Sequence, residues 1–144
     1  MNTKSEMTLI IEAISENESF ARAVVAAYAC RLNPTLEQLD DIKTAVSEAV
    51  TNAIVHGYNS DPSRKVEITC AIEGQDFFVA VRDEGCGIED VIQARTPFYT
   101  TCPEGERSGM GFTMMESFMD DVQVTSQAGQ GTCVKMRKYL PQGV

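Results

Sequence analysis

The sequence predicts an α/β fold, a two-layer sandwich in which helices cover one face of a mixed, mostly antiparallel sheet. Periodic segments follow one another in the order strand, two helices, hairpin, long connection, helix and hairpin. The 144 residues and the 43% share of apolar side chains suit one compact domain with its own core. We therefore expect residues 1–144 to form a single domain.

The first strand and the first helix are predicted near the start of the chain. Alternating apolar residues in Met7–Ala13 predict a strand. Glu16–Arg31 is predicted to follow as a helix that an Asn-Pro pair ends. Ser15 and Glu18 have the spacing of a capping box at its beginning. Its apolar stripe is expected to contain Phe20, Val24, Ala27 and Tyr28.

The second helix is predicted from Leu36 to about His56. Thr35 is its candidate cap, and Gly57 is a residue at which helices typically stop. Apolar residues recur at helical spacing and are expected to face the core, namely Leu39, Ile42, Val46, Ala49, Val50 and Ala53.

Two hairpins and a third helix are predicted in the second half of the chain. The first hairpin pairs Val66–Ile72 with Phe77–Arg82, and the second pairs Val122–Ser126 with Thr132–Tyr139. The helix is predicted over about 110–118. Residues 84–110 are rich in glycine and polar residues, and connections of this length are commonly binding loops or lids.

Composition excludes several classes of function. A chain with a net charge of −9 repels nucleic-acid backbones, so we expect no direct nucleic-acid partner. We recognise no secretory signal and no apolar run that could cross a bilayer, which predicts a cytoplasmic protein without a membrane partner. The five cysteines are scattered without a C-x-x-C pair, which favours reduced thiols over a zinc site or a disulfide framework.

Polar side chains recur along one face of the second predicted helix. Glu48, Asn52 and His56 are spaced at i, i+4 and i+8, so helical geometry stacks them in one stripe. An amide oxygen such as that of Asn52 is a suitable ligand for Mg²⁺. A nearby carboxylate that does not hold the metal can act as a general base. By spacing alone, however, an exposed polar helix face is the commoner explanation.

Two glycine-bearing turns add further polar groups. Asp83 ends a predicted strand just before Gly85 and Gly87, where its carboxylate could accept the exocyclic amine of a base. The glycines would let a flat ring approach the backbone. Gly131 and Thr132 lie in the turn of the last hairpin, which could place the threonine beside this aspartate. Taken singly, both segments are better explained as ordinary glycine turns.

A third glycine segment comes directly before the last predicted helix. Gly109, Met110 and Gly111 would direct backbone amides toward an anion at the helix N-terminus. The chain has no G-x-x-x-x-G-K-[ST] motif, and this segment alone is weak evidence. The order of all four motifs is stronger evidence than any one of them.

In this order, the motifs resemble those of the GHKL superfamily, which contains gyrase-type ATPases, Hsp90-type chaperones, mismatch-repair ATPases and histidine kinases. Residues 48–56 resemble its N box, 83–87 its first glycine box, 109–111 its second and 131–132 its third. The resemblance covers nearly the whole chain. It implies the Bergerat ATP-binding fold, with ATP or ADP and Mg²⁺ as ligands.

Longer segments narrow the resemblance to the anti-sigma F factors of endospore-forming bacteria. Residues 16–22, 46–58 and 106–113 look like that family, as does the Met-Asp-Asp sequence at 119–121. The resemblance implies a protein that binds the sporulation sigma factor F and holds it inactive. It also implies a serine kinase that phosphorylates its anti-anti-sigma factor, and it suggests a homodimer.

The resemblance implies roles for residues around the base and the metal. Glu48 would be the general base, and Asn52 would hold Mg²⁺. Asp83 would bind the adenine amine, with Gly87 and Thr132 closing around the base. Residues 96–108 would form an ATP lid, and the phosphates would be contacted by Thr101, Arg107, Gly109, Met110 and Gly111.

The resemblance leaves a few residues with less certain roles. Glu18 and Arg22 in the first helix would face protein partners. His56 ends the N-box segment, where a phosphate-side role and a structural role both remain open. Cys86 stands at a variable position between glycines, and Cys102 occupies a lid position where a polar or basic residue is expected.

The number of histidines in the chain helps to distinguish a histidine kinase from a serine kinase. The only histidine is His56, inside the N-box segment, so autophosphorylation on a separate histidine is nearly excluded. A serine hydroxyl becomes a nucleophile when a base accepts its proton, and Glu48 could do so. Three alternatives remain open: a nucleotide-gated anti-sigma module without catalysis, a gyrase-type ATP hydrolase, and a serine-kinase anti-sigma factor of the stress-response type.

Overall fold

The computed structural model of the protein describes residues 4–87 and 111–141, and it has the predicted order of elements. The strands are β1 (Ser5–Glu12), β2 (Lys65–Glu73), β3 (Asp76–Asp83), β4 (Asp121–Gln127) and β5 (Gly131–Tyr139). The helices are α1 (Glu16–Ala29), α2 (Leu36–Thr51) and α3 (Gly111–Phe118). A 3₁₀ turn (Cys30–Leu32) follows α1, and a π turn (Asn52–Gly57) follows α2.

The strands form one five-stranded sheet in the order β1-β2-β3-β5-β4. All of the pairings among the described strands are antiparallel, so the α/β two-layer prediction is confirmed with a sheet more regular than the mixed one expected. The register places Asp83, at the end of β3, directly opposite Thr132 on β5. The end of a central strand therefore meets the beginning of the last hairpin strand.

The helices cover one face of this sheet. Alternate residues of β2 and β3 are buried against them, among them Val66, Ile68, Cys70, Phe77 and Val79. The intervening residues point to the other face, where they are half-buried or exposed. This alternation is the period-two pattern that predicted the strands, and it leaves one face of the sheet uncovered by the described residues.

Helix α2 begins at a true capping box. The Thr35 hydroxyl accepts a hydrogen bond from the Gln38 backbone N–H at 3.1 Å, and the Gln38 side chain accepts one from the Thr35 N–H at 2.8 Å. The predicted core positions Ile42, Val46 and Val50 are fully buried. The prediction for the start and the core face of α2 is therefore confirmed.

The predicted apolar stripe of α1 is wrong at Phe20 and Ala27, which are exposed, and confirmed at Tyr28, which is buried. Phe20 is 52% exposed, whereas Ala21 and Val25 are fully buried and face the core. Apolar residues occupy both lines of the helix surface, so periodicity alone did not decide between them. The line with the smaller side chains packs inward, and small residues let neighbouring helices approach closely.

The predicted capping box at the start of α1 is also wrong. Ser15 has helical backbone angles (φ −61°, ψ −31°), and its side chain makes no cap hydrogen bond. Its hydroxyl donates instead to the Glu16 carboxylate at 3.0 Å. Glu18, the expected capping partner, lies 3.6 Å from the guanidinium of Arg22, one turn further along the helix.

Candidate functional site

Two polar residues of the candidate site, Glu48 and Asn52, lie at the end of α2. Glu48 is half-buried, and Asn52 is 6% exposed. The backbone N–H of Asn52 is bonded to the carbonyls of Glu48 and Ala49, so the pair is still in α-helical geometry. The two side chains are one helical turn apart, as the sequence predicted. Burial distinguishes Asn52 from the exposed polar helix face that spacing alone made the commoner explanation.

Beyond Asn52 the helix widens into a π turn. The backbone N–H of Tyr58 donates to the carbonyl of Ala53, five residues earlier, at 3.0 Å. The wider turn changes the rotation per residue between Asn52 and His56, so α-helical spacing no longer gives the position of His56 relative to Glu48 and Asn52. Single π turns are rare and often occur at functional sites.

The π turn brings Gly57 against the carboxylate of Asp83. A Cβ atom built on Gly57 would lie 2.7 Å from the Cγ and Oδ1 atoms of Asp83. Real Cβ atoms do not make contacts this short, so only glycine allows the turn to approach the strand end. This contact joins the helix segment that contains Asn52 to the turn that contains Asp83.

Asp83 is a buried carboxylate with few ways to move. It is 4% exposed, and its Oδ1 accepts a hydrogen bond from the Gly85 N–H at 2.9 Å. Burial raises the pKa of Asp83, while hydrogen bonds from the backbone of Gly85 and Thr132 and the positive charge of Arg64 oppose that rise. Buried groups with shifted pKa values in a recess are candidates for ligand contact.

The last hairpin closes the other side of Asp83. Gly131 has φ +94°, and a Cβ there would lie 2.2 Å from the Asp83 carbonyl oxygen. Thr132 is buried, and its hydroxyl lies 2.8 Å from the hydroxyl of Ser126 across the hairpin. Gly87, at the end of the first glycine box, lies against the backbone of Gln127. The structure thus brings Asp83, Gly87 and Thr132 together, as the sequence predicted.

Three residues around this recess were missed from the sequence. Ser126 binds the Thr132 hydroxyl, and its position opposite Thr132 could have been read from the predicted hairpin. Tyr58 and Arg64 contact Glu84 from a loop that looked merely polar. No pattern in the sequence pairs that loop with residue 84, because the contact depends on how the loop folds.

The residues predicted to face partners lie on α1. One guanidinium nitrogen of Arg22, Nη1, lies 3.6 Å from the Glu18 carboxylate and donates to the Ser47 hydroxyl on α2 at 3.2 Å. Between α1, the end of α2 and the π turn lies a groove of about 320 Å³, lined by Ser15, Glu18, Ser19, Arg22, Thr51, Ile54 and Val55.

Several predicted contacts lie outside the described residues. They are the lid at 96–108 with Thr101, Cys102 and Arg107, and the phosphate contacts Gly109 and Met110. Gly111 is described as the buried first residue of α3. Within 4–87 and 111–141, no group of three or more His, Cys, Asp or Glu side chains is placed to hold a metal. A magnesium ion held by the Asn52 amide oxygen and by phosphate oxygens would not require such a group.

No described helix is long and apolar enough to span a membrane.

Comparison with known proteins agrees with this geometry. The model of the histidine kinase-like ATPase domain matches residues 11–138. The RsbU and RsbW domains of a Mycobacterium tuberculosis protein share the fold with a TM-score of 0.71 at 20% identity, over 97% of this chain and 33% of that one. The mycobacterial sensor histidine kinase MprB matches with a TM-score of 0.57 at 16% identity, over 73% and 74% of the two chains.

The chain thus contains a histidine kinase-like ATPase domain, a class whose name implies nucleotide binding. Anti-sigma F factors of two species align with 95% of the chain and with 94% of their own lengths. The identity is 56% for Anoxybacillus flavithermus and 52% for Bacillus subtilis. The chain belongs to the anti-sigma F factor family.

Proposed function

We propose that the protein binds the sporulation sigma factor F, holds it inactive, and transfers phosphate from ATP to a serine of its anti-anti-sigma factor. The nucleotide part rests on one observation, the buried carboxylate of Asp83 at a strand end against which Gly57 and Gly131 pack closely. An ionised carboxylate accepts hydrogen bonds only, which suits the exocyclic amine of adenine. The identity of 52–56% to anti-sigma F factors supports the part about partners.

The kinase reaction is assigned to Glu48 and Asn52. The serine oxygen attacks the γ-phosphorus of ATP, the bond to the bridging oxygen breaks, and ADP leaves. Glu48 accepts the serine proton, because a hydroxyl is a poor nucleophile while it keeps it. Mg²⁺, when bound through the Asn52 amide, would neutralise phosphate charge. The half-buried position of Glu48 and the burial of Asn52 on the next turn support these two separate roles.

A transfer assay tests the kinase. The protein is incubated with ATP, Mg²⁺ and its cognate anti-anti-sigma factor, and phosphoserine is measured by mass spectrometry. Glu48→Gln keeps the shape of the side chain and should lower transfer by about 100-fold or more while ATP binding stays intact. Unchanged transfer would remove Glu48 as the base. Sigma binding without any transfer by the natural protein would leave a nucleotide-gated binding module.

The groove beside Arg22 is the proposed partner surface. It combines a charged pair, Arg22 and Glu18, with the apolar residues Ile54 and Val55. Charged and apolar groups together are typical of protein interfaces. Arg22→Ala should weaken sigma binding by at least tenfold if Arg22 is an interface anchor. ATP affinity, measured alongside, should not change.

The uncovered face of the sheet is the surface we propose for a homodimer. Ile10 and Tyr139 on this face are 60% and 52% exposed. Glutamates predominate on β1 and β2 (Glu6, Glu12, Glu67 and Glu73, beside Lys65), and basic side chains on β3 and β5 (Arg82, Lys135 and Arg137, beside Asp76). Two copies related by a twofold axis parallel to the strands would place each acidic half against a basic one.

Light scattering tests this dimer. Lys135→Glu should reverse one contact of the basic half and shift the natural protein from dimer toward monomer. Lys43→Glu makes the same change of charge on α2, on the other side of the sheet, and is the control. A natural protein that is monomeric at high concentration would contradict the proposal.

A further inference from the structure

Both backbone polar groups of Glu84, the residue after Asp83, are held by side chains from one loop. The Glu84 N–H donates to the Tyr58 hydroxyl at 2.6 Å, and Arg64 Nη2 donates to the Glu84 carbonyl at 2.8 Å. The Tyr58 hydroxyl itself donates to the Lys65 carbonyl at 2.7 Å. The Cζ atom of Arg64 lies 4.8 Å from the centroid of the Tyr58 ring, so the two side chains stack. We call this pair the Tyr58–Arg64 clamp.

The loop between the two side chains is folded so that Arg64 returns over Tyr58. The Asp61 carboxylate accepts hydrogen bonds from the N–H and the hydroxyl of Ser63 at 3.0 and 2.7 Å. The Arg64 N–H donates to the Asp61 carbonyl at 3.1 Å, and the Arg64 carbonyl accepts from Ala13 at 3.0 Å. The backbone of Arg64 is therefore anchored on two sides before its side chain reaches Glu84.

The clamp fixes the backbone of the turn after Asp83, and this turn orients the Asp83 carboxylate. Asp83 Oδ1 accepts the Gly85 N–H, and the Cys86 N–H donates to the Gly57 carbonyl at 2.9 Å. If Glu84 shifts, the Gly85 amide shifts with it, and the carboxylate loses one of its two backbone donors, the other being Thr132. Neither Tyr58 nor Arg64 needs to touch a ligand to have this effect.

We propose that the Tyr58–Arg64 clamp positions the Asp83 carboxylate for the nucleotide base, so that Arg64 and Tyr58 set the affinity and the selectivity for adenine from outside the recess. This inference rests on the proposed function of Asp83. Preorganised groups bind more tightly because less ordering is needed on binding. The positive charge of Arg64 also opposes the rise in the pKa of Asp83, which favours the ionised, acceptor-only form.

The chain contains a matched control for this pair. Arg31 lies over the Tyr28 ring with its Cζ atom 4.8 Å from the ring centroid. The Tyr28 hydroxyl donates to the Ser5 hydroxyl oxygen at 2.7 Å, and Arg31 donates to the same oxygen at 3.0 Å. Ser5 pairs with Ile72, at the end of the sheet opposite Asp83. Both stacks place a guanidinium 4.8 Å from the centroid of a tyrosine ring, but the first bonds a side-chain hydroxyl and the second bonds the backbone of Glu84.

The experiment compares Arg64→Ala with Arg31→Ala. The affinities for ATP and for ITP, whose base lacks the exocyclic amine, are measured by calorimetry, and thermal unfolding is recorded for each variant. We expect Arg64→Ala to bind ATP about tenfold more weakly, since hydrogen bonds to charged groups have that order of strength. ITP affinity should fall much less, so the ATP/ITP ratio should drop. Arg31→Ala should keep the natural ratio despite a similar loss of stability.

An unchanged ATP/ITP ratio in Arg64→Ala, with stability lowered as in Arg31→Ala, would show a purely structural role and overturn the inference. Should Arg64→Ala not fold, Arg64→Lys serves the same test, because lysine keeps the charge but lacks the planar group. Tyr58→Phe against Tyr28→Phe repeats the comparison with the ring kept and the hydroxyl removed. A natural protein that does not distinguish ATP from ITP would instead refute the proposed role of Asp83.

Discussion

The two arginine–tyrosine stacks lie at opposite ends of the sheet and differ in what they hold. Tyr28 and Tyr58 are buried to nearly the same extent, at 8% and 7% exposure, and each lies under a guanidinium at 4.8 Å. The first stack fastens the beginning of β1 through the hydroxyl of Ser5. The second fastens the backbone that follows the carboxylate of Asp83. The same pair of side chains is therefore anchored to a strand end in one place and to the turn after Asp83 in the other, and the proposed role of the second stack depends on that difference.

The largest difference in ATP affinity is expected between variants of the two carboxylates at the ends of β3, Asp83 and Asp76. Asp83→Asn replaces an acceptor with a group that also donates, and ATP affinity should fall by about 100-fold, or roughly 3 kcal/mol. Asp76→Asn, at the other end of the strand, breaks the 2.9 Å pair with Arg137 and should leave ATP affinity unchanged. Calorimetric titration with ATP measures both. Equal losses would show that the ends of the strand do not differ in function.

A smaller difference in ATP binding is expected between alanine substitutions at two glycines, Gly57 and Gly74. A Cβ at Gly57 would overlap the Asp83 carboxylate, whereas a Cβ at Gly74 in the β2–β3 turn would meet nothing within 4 Å. Gly74→Ala should cost about 1 kcal/mol of unfolding free energy, because φ is +63° there, without affecting ATP binding. Gly57→Ala should weaken ATP binding by more than its loss of stability explains. Chemical denaturation and nucleotide titration of both variants give the comparison.

The titration of Asp83 should produce a more modest, pH-dependent difference in stability between the natural protein and Asp83→Asn. Because burial raises the pKa of Asp83 in the folded state, the ionised group costs stability at neutral pH. The folded state takes up the proton first as the pH falls, so the cost shrinks from the raised pKa down to 3.8, the value without burial. Asp83→Asn should therefore be more stable than the natural protein at pH 7, with an advantage that shrinks toward pH 4. An advantage independent of pH would contradict this account.

The smallest expected effect is a difference in alkylation rate between two thiols, Cys70 in the core and Cys86 in the turn after Asp83. Burial raises the pKa of Cys70 in the core to about 12, so its thiol should resist alkylation until the protein unfolds. Cys86 in the turn after Asp83 is exposed, and its thiol donates to the His56 carbonyl at 3.0 Å. Iodoacetamide labelling followed by mass spectrometry should modify Cys86 before Cys70, and ATP should slow the labelling of Cys86. Labelling of Cys70 at the same rate as Cys86 would mean that the core opens readily.

The elements of the fold were predictable because their signals are local. The capping box at Thr35, the spacing from Ile42 to Val50 and the alternation in β2 each depend on residues a few positions apart. The failures at α1 have a different origin. Two apolar lines run along that helix, and the choice between Phe20 and Ala21 is made by what packs against them.

The site was predictable as a set of residues but not as a geometry. Asp83 and Thr132 were expected to meet, and the register of β3 and β5 brings them together. The π turn, the contact of Gly57 with Asp83 and the Tyr58–Arg64 clamp could not be derived from spacing. Each depends on contacts between segments that are distant in the sequence. The resemblance to a family implied roles for single residues, but it did not indicate those contacts.

The π turn makes the number of residues, as well as their chemistry, a determinant of the site. A regular helix bonds each N–H to the carbonyl four residues earlier, whereas here Tyr58 reaches back five, to Ala53. The turn therefore contains one residue more than a regular helical turn. The approach of Gly57 to Asp83 therefore depends on the length of this turn, and adding or removing one residue between Asn52 and Gly57 should alter it. A length change that most helix ends tolerate would in this protein alter the candidate site.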